Sequence, residues 1–193
     1  TLSPGTGNEV TIIGMYNGNV SVSSTSSTGT VNLISSFISS VSNGSGYLKM
    51  NIYDCEVTNS FSIANGSVKG CEILGGLTIS SSSYAGGDTI RIMGNHIEDG
   101  LNWQSPYAYF EICNNFIEYS TTTTLAYDPR AIDITSLRST PGGTNLIANN
   151  TIISSTSQTN YSGSNYNPYG IYFQSISNGQ NLVIVNNYIK AWH

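Results

Sequence analysis

Apolar and polar residues alternate along this chain in short runs, and the runs recur in one fixed context. The run from Leu182 to Trp192, LVIVNNYIKAW, shows it most clearly: two alternating apolar positions, one free position, a turn-forming residue, an Asn, another free position and an apolar β-branched residue. Upstream the pattern returns as NLIANNTIIS from Asn145, FEICNNFIEY from Phe110, IRIMGNHIED from Ile90, SVKGCEIL from Ser67 and MNIYDCEVT from Met50. Period-2 alternation predicts strands. Each copy therefore predicts a strand, a sharp bend and a second strand.

The bend column holds Asp54, Gly70, Gly94, Asn114, Asn149 and Asn186. Gly, Asn and Asp are the residues that enter a left-handed backbone at least cost, so the chain is expected to turn there in every copy. The next column is Cys55, Cys71, Asn95, Asn115, Asn150 and Asn187. If the copies stack, these Asn amides lie over one another, each donating and accepting at a buried corner. Cys55 and Cys71 fit the same column as small buried residues. Strand neighbours are about 4.8 Å apart, so a disulfide between them is also within reach.

The copies are separated by 16, 24, 20, 35 and 37 residues, counted between Ile52, Val68, Ile92, Ile112, Ile147 and Ile184. Uneven spacing of a repeated unit suits coils whose strands are constant and whose loops vary. A third short strand falls in each gap, at Phe61–Ile63, Leu77–Ile79, Leu101–Trp103, Ile132–Ile134 and Ile171–Phe173. Three strands per coil with one tight bend predict an all-β fold, a right-handed parallel β-helix of about seven coils with an Asn ladder. Over roughly residues 31 to 192 the chain resembles the pectate-lyase-like β-helix superfamily, whose coils often carry such a ladder. The resemblance implies the fold. It leaves activity open, because the superfamily includes lyases, glycosidases, epimerases, phage tailspikes and adhesins.

Composition narrows the function classes. Charged residues make up 9% of the 193 positions, while Ser, Thr and Asn fill more than a third. The 13 Tyr and the strict alternation nevertheless predict a folded chain and not a disordered one. A net charge of -5 leaves no basic patch for nucleic acid, and no apolar run is long enough to insert in a membrane. Surface chemistry of this kind is expected outside the cell, at a cell surface or on a virion. Thr1 is not a translation start, and the last repeat runs to Trp192 without a polar cap. The chain is accordingly expected to be a processed product or a piece of a longer protein, or to pair at its end with another chain.

One domain, 1–193, accounts for the whole sequence. Residues 1–47 are its least regular part, an early coil or capping region in which Ser36 stands where the ladder Asn would be. Regular coils fill 48–193, with insertions at 118–131 and 153–170 between the strand after the bend and the next coil's first strand. Both insertions should leave one corner and form one flank, where repeat proteins often bind. The second carries Tyr161, Tyr166 and Tyr169, with Tyr172 just beyond, and tyrosines among Ser, Asn and Gly suit recognition of glycans. Some of these rings could equally cover the coil edge.

Two columns offer chemistry. Outward positions after the bend read Glu56, Glu72 and His96, with Glu98, Asp99 and Glu118 close by, a group that suits calcium, acid–base work or a solvated face. Outward positions of the third strand read Ser62, Thr78, Asn102, Asp133 and Tyr172, the face over which pectate-lyase-type enzymes usually work. Asp133 has no carboxylate partner there, although Asp128 on the adjoining loop could supply the second acid a glycosidase needs. Arg130 is read as a loop anchor. The expected function is an attachment or structural module that contacts polysaccharide, as a tailspike or adhesin does. A polysaccharide lyase or glycoside hydrolase is the alternative, and a self-associating trimer, fibre or filament subunit is a further one.

Overall fold

The computed structural model describes residues 2, 4–22, 28–43, 48–80, 89–104, 108–121, 128–135, 137, 143–156, 167–177 and 180–192. All regular structure among them is β, and no helix is long and apolar enough to cross a membrane. First strands, before the bend, are β1 (Glu9–Ile13), β3 (Thr30–Ile34), β5 (Lys49–Tyr53), β8 (Gly66–Lys69), β11 (Thr89–Met93), β14 (Tyr109–Cys113), β17 (Thr144–Ala148) and β20 (Asn181–Val185). Strands after the bend are β2 (Tyr16–Val22), β4 (Phe37–Asn43), β6 (Glu56–Val57), β9 (Glu72–Ile73), β12 (His96–Ile97), β15 (Phe116–Thr121), β18 (Thr151–Thr156) and β21 (Tyr188–Trp192). Third strands are β7 (Phe61–Ile63), β10 (Leu77–Ser80), β13 (Leu101–Gln104), β16 (Arg130–Ile134) and β19 (Tyr169–Phe173).

Every pairing between these strands is parallel, so the chain is a solenoid-like stack. The first strands form one eight-stranded sheet in the order β1-β3-β5-β8-β11-β14-β17-β20. The other two classes belong to a single thirteen-stranded sheet, because β4 runs unbroken across the corner that later rungs interrupt. Its Phe37–Ile38 part pairs with Glu56–Val57 and its Val41–Ser42 part with Phe61–Ser62. The stretch expected to be irregular contributes β1 to β4 to these same sheets.

Register explains the core. Ile12, Leu33, Ile52, Val68, Ile92, Ile112, Ile147 and Ile184 lie over one another in the first sheet. Ile38, Val57, Ile73, Ile97, Ile117, Ile152 and Ile189 do the same after the bend, and Val41, Phe61, Leu77, Leu101, Ile132 and Ile171 in the third class. Away from the two ends of the stack these columns are buried and form one continuous cluster, because parallel neighbours keep the same residue of the alternation facing inward.

The bend column is left-handed throughout. φ is 67° at Gly14, 46° at Ser35, 52° at Asp54, 65° at Gly70, 66° at Gly94, 58° at Asn114, 57° at Asn149 and 53° at Asn186. The expected ladder follows directly behind it. Backbone N–H of Asn95, Asn115 and Asn150 donates to the Oδ1 of the next rung's Asn at 3.0, 2.9 and 3.0 Å, and each Nδ2 donates both to that oxygen and to a backbone carbonyl of the rung before. Serine does the same job in miniature at the other end, where Ser36 Oγ accepts from Met15 N–H at 3.0 Å.

Cys55 and Cys71 are free thiols in this column, so the disulfide alternative is not realised, and Cys113 is free as well. A hydrogen bond from Cys71 lowers the Cys55 thiol to about 7, while Cys71 is held well above the usual thiol range by that bond and by burial. Burial also raises Cys113.

Candidate functional site

The site grows out of the corner between the second and third strands. In the middle rungs that corner is tight, as at Glu98-Asp99-Gly100, where Asp99 and Gly100 take φ of 57° and 78°. From β15 onward it opens, and the chain leaves after Thr121 to return at Asp128. Both insertions, expected before the next coil's first strand, instead fall between second and third strands, and the ends of the expected ranges, 118–121, 130–131, 153–156 and 169–170, are themselves strand. The change from tight to open corner leaves a pocket of about 200 Å³ lined by Thr78, Asp99, Asn102, Tyr119, Arg130 and Asp133 among others.

Register supplies its wall. Thr78 pairs with Asn102, Asn102 with Asp133 and Asp133 with Tyr172, so the outward column read from the sequence is aligned across four rungs. Arg130 Nη1 meets Asp133 Oδ2 at 2.9 Å, and its guanidinium carbon lies 3.7 Å from the centre of the Tyr172 ring. Tyr169 packs against Tyr172 with ring centres 5.3 Å apart. Arg130 is more than a loop anchor. It fixes one carboxylate oxygen and one aromatic face while both ion-pair side chains stay about a quarter exposed, at 26% and 23%.

Hydrogen-bonding capacity is left over. Asn102 Oδ1, Asp133 Oδ1 and Arg130 Nε are buried atoms without a hydrogen-bond partner. Buried polar atoms are paired in the great majority of cases, and each one left unpaired costs about 1–3 kcal/mol. All three are closed to solvent, so they mark a pocket wall whose hydrogen bonding is incomplete and not groups that a ligand meets directly.

Asp128, expected as the second acid, is engaged elsewhere: its Oδ1 accepts from Asn167 N–H at 2.8 Å and ties the returning ends of the two insertions together. Tyr169 N–H donates to Pro129 O at 2.8 Å in the same seam. Tyr161 and Tyr166 lie outside the described residues. Asp99, read from the sequence as part of the acidic outer face, instead lines the pocket that Asp133 lines. The left-handed backbone at Asp99 and Gly100 carries it around the corner, and the Asp-Gly pair was the available clue.

The acidic face itself is a second cluster. Glu56, Glu72, His96 and Phe116 are consecutive neighbours across the second strands. His96 Nε2 lies 3.5 Å from Glu118 Oε1, and its Nδ1 lies 4.0 Å from Glu72 Oε1. His96, Glu98 and Glu118 each place a ligand atom within 4.8 Å of the others. Calcium fits this donor set poorly, since it takes six to eight oxygens and one of these three donors is an imidazole nitrogen. No protein-family model, no curated protein and no solved structure matches the chain.

Proposed function

We propose that the strands wind as one right-handed parallel β-helix of the pectate-lyase-like kind, and that the chain is an extracellular attachment module holding a neutral glycan in the pocket beside Arg130. Parallel strands joined by crossovers are right-handed in about 98% of cases, which supports the hand. The eight first strands enclose seven turns, in line with about seven coils.

The observation that carries the ligand reading is a pocket that sets the polar residues Thr78, Asn102, Arg130 and Asp133 beside the aromatic Tyr119. Sugars offer hydroxyls that both donate and accept, together with an apolar ring face. Asp99 and Asp133 outnumber Arg130, so an acidic sugar meets net negative charge where a neutral one does not. A volume of about 200 Å³ is below the roughly 300–1,000 Å³ of ordinary small-molecule clefts, which suits one sugar unit of a chain passing outside.

Retention of labelled neutral and acidic polysaccharides tests this reading. Neutral chains are expected to be retained without turnover, and Arg130→Ala or Asp133→Ala to weaken retention at least tenfold, about 1.4 kcal/mol. Equal retention of acidic chains, or no effect of either substitution, contradicts it. One observation favours a glycoside hydrolase as a second reading: two acidic residues, Asp99 and Asp133, line one pocket. New reducing ends that vanish on Asp133→Ala would establish it.

A further inference from the structure

We propose that His96, Glu98 and Glu118 bind a borderline divalent metal ion of the zinc type, at a site on the outer face of the second strands that is separate from the glycan pocket. The placement follows from register. His96 is the direct neighbour of Phe116, so Glu98 and Glu118, each two residues further along, leave the same face on adjacent rungs.

Distances agree with one shared ion. Two tetrahedral ligands at zinc bond lengths of about 2.1 Å stand roughly 3.4 Å apart. His96 Nε2 and Glu118 Oε1 are 3.5 Å apart, and the Glu98 carboxylate lies within 4.8 Å of both ligand atoms, inside the reach of a rotamer change. The Phe116 ring meets the imidazole edge-on with centres 5.1 Å apart, while Glu72 Oε1, 4.0 Å from its other nitrogen, is beyond hydrogen-bonding distance and adds only negative charge nearby. An imidazole with carboxylates from two adjacent rungs within 4.8 Å distinguishes the site from a merely acidic patch. Three protein donors leave a fourth position for water.

Zinc uptake by the full chain, read by competition with a chromophoric chelator and by the visible bands of tetrahedral Co²⁺, tests the site. One equivalent of Zn²⁺ is expected to bind and excess Ca²⁺ to leave it in place. His96→Ala and Glu118→Gln should each abolish the stoichiometric binding, whereas Glu72→Gln, which removes a carboxylate outside the ligand set, should preserve it. All three positions are on the surface, so an unchanged circular dichroism spectrum separates lost ligands from lost fold. Uptake that survives His96→Ala, displacement by Ca²⁺, or no uptake by the parent chain would overturn the proposal.

Discussion

Asn115→Ala is expected to lower the melting temperature by about 5–20 °C, although it removes only a short polar side chain. Asn115 Oδ1 accepts from both the backbone N–H and the Nδ2 of Asn95, at 3.0 and 2.9 Å, and its own Nδ2 donates to Ile92 O and Asn150 Oδ1. Truncation leaves two N–H groups of Asn95 buried without an acceptor, the backbone one and the Nδ2 hydrogen that does not bond Val68 O. At about 1–3 kcal/mol for each stranded group the loss is roughly 2–6 kcal/mol, a large part of a typical folding stability. Aspartate does not rescue it, because a carboxylate accepts but cannot donate to Ile92 O. Asn187→Ala, on the last rung where water reaches the corner, is expected to shift the transition by less than half as much. Thermal unfolding followed by circular dichroism reads all three variants, and equal shifts at Asn115 and Asn187 would contradict the ladder account.

Gly66→Ala is expected to be nearly as damaging, whereas Gly94→Asn should stay within about 0.5 kcal/mol of the parent. Gly66 has φ of 119°, and a Cβ there would stand 2.1 Å from the carbonyl oxygen of Met50, its partner on the neighbouring rung. Neither the backbone angle nor the fixed carbonyl can yield cheaply, so about 2–6 kcal/mol is lost. Gly94 has φ of 66° with nothing within 4 Å of the added atom. Asn114, Asn149 and Asn186 already occupy that column at 53–58°. Urea unfolding of the two variants separates a glycine required by space from one required only by backbone sign.

The sequence pattern disclosed the three strand columns and the ladder because both rest on local chemistry that recurs. Alternation sets which side chains face inward, and Gly, Asn or Asp at the bend sets where the chain turns. Even Ser36, off the consensus, keeps the column's hydrogen bond. The union of second and third strands into one sheet was not legible, because it depends on β4 crossing a corner without a break, and no residue type marks that absence of a turn. The pocket was legible only in part. Asn102, Asp133 and Tyr172 follow from alternation, but Arg130 reaches Asp133 across the consecutive buried pair Ala131 and Ile132 of β16, and Asp99 is redirected by a left-handed corner. Where a side chain goes after a corner is set by the turn geometry of two rungs at once, which a one-dimensional pattern does not carry. The aromatic flank expected at 153–170 is represented among the described residues by Tyr169 alone, with Tyr172 next to it.

A double-mutant cycle on Asn95 and Asn115, measured by urea unfolding of the parent, the two single Ala variants and the pair, tests the stacked-rung geometry most directly. These residues are 20 positions apart in the chain yet share two hydrogen bonds. Stacking predicts that the losses fall short of additivity by more than about 1 kcal/mol, because either truncation alone already breaks the shared contact. Losses that add within about 0.3–0.5 kcal/mol would mean the two amides do not meet, and the columns, corners and both candidate sites built on that register would be wrong.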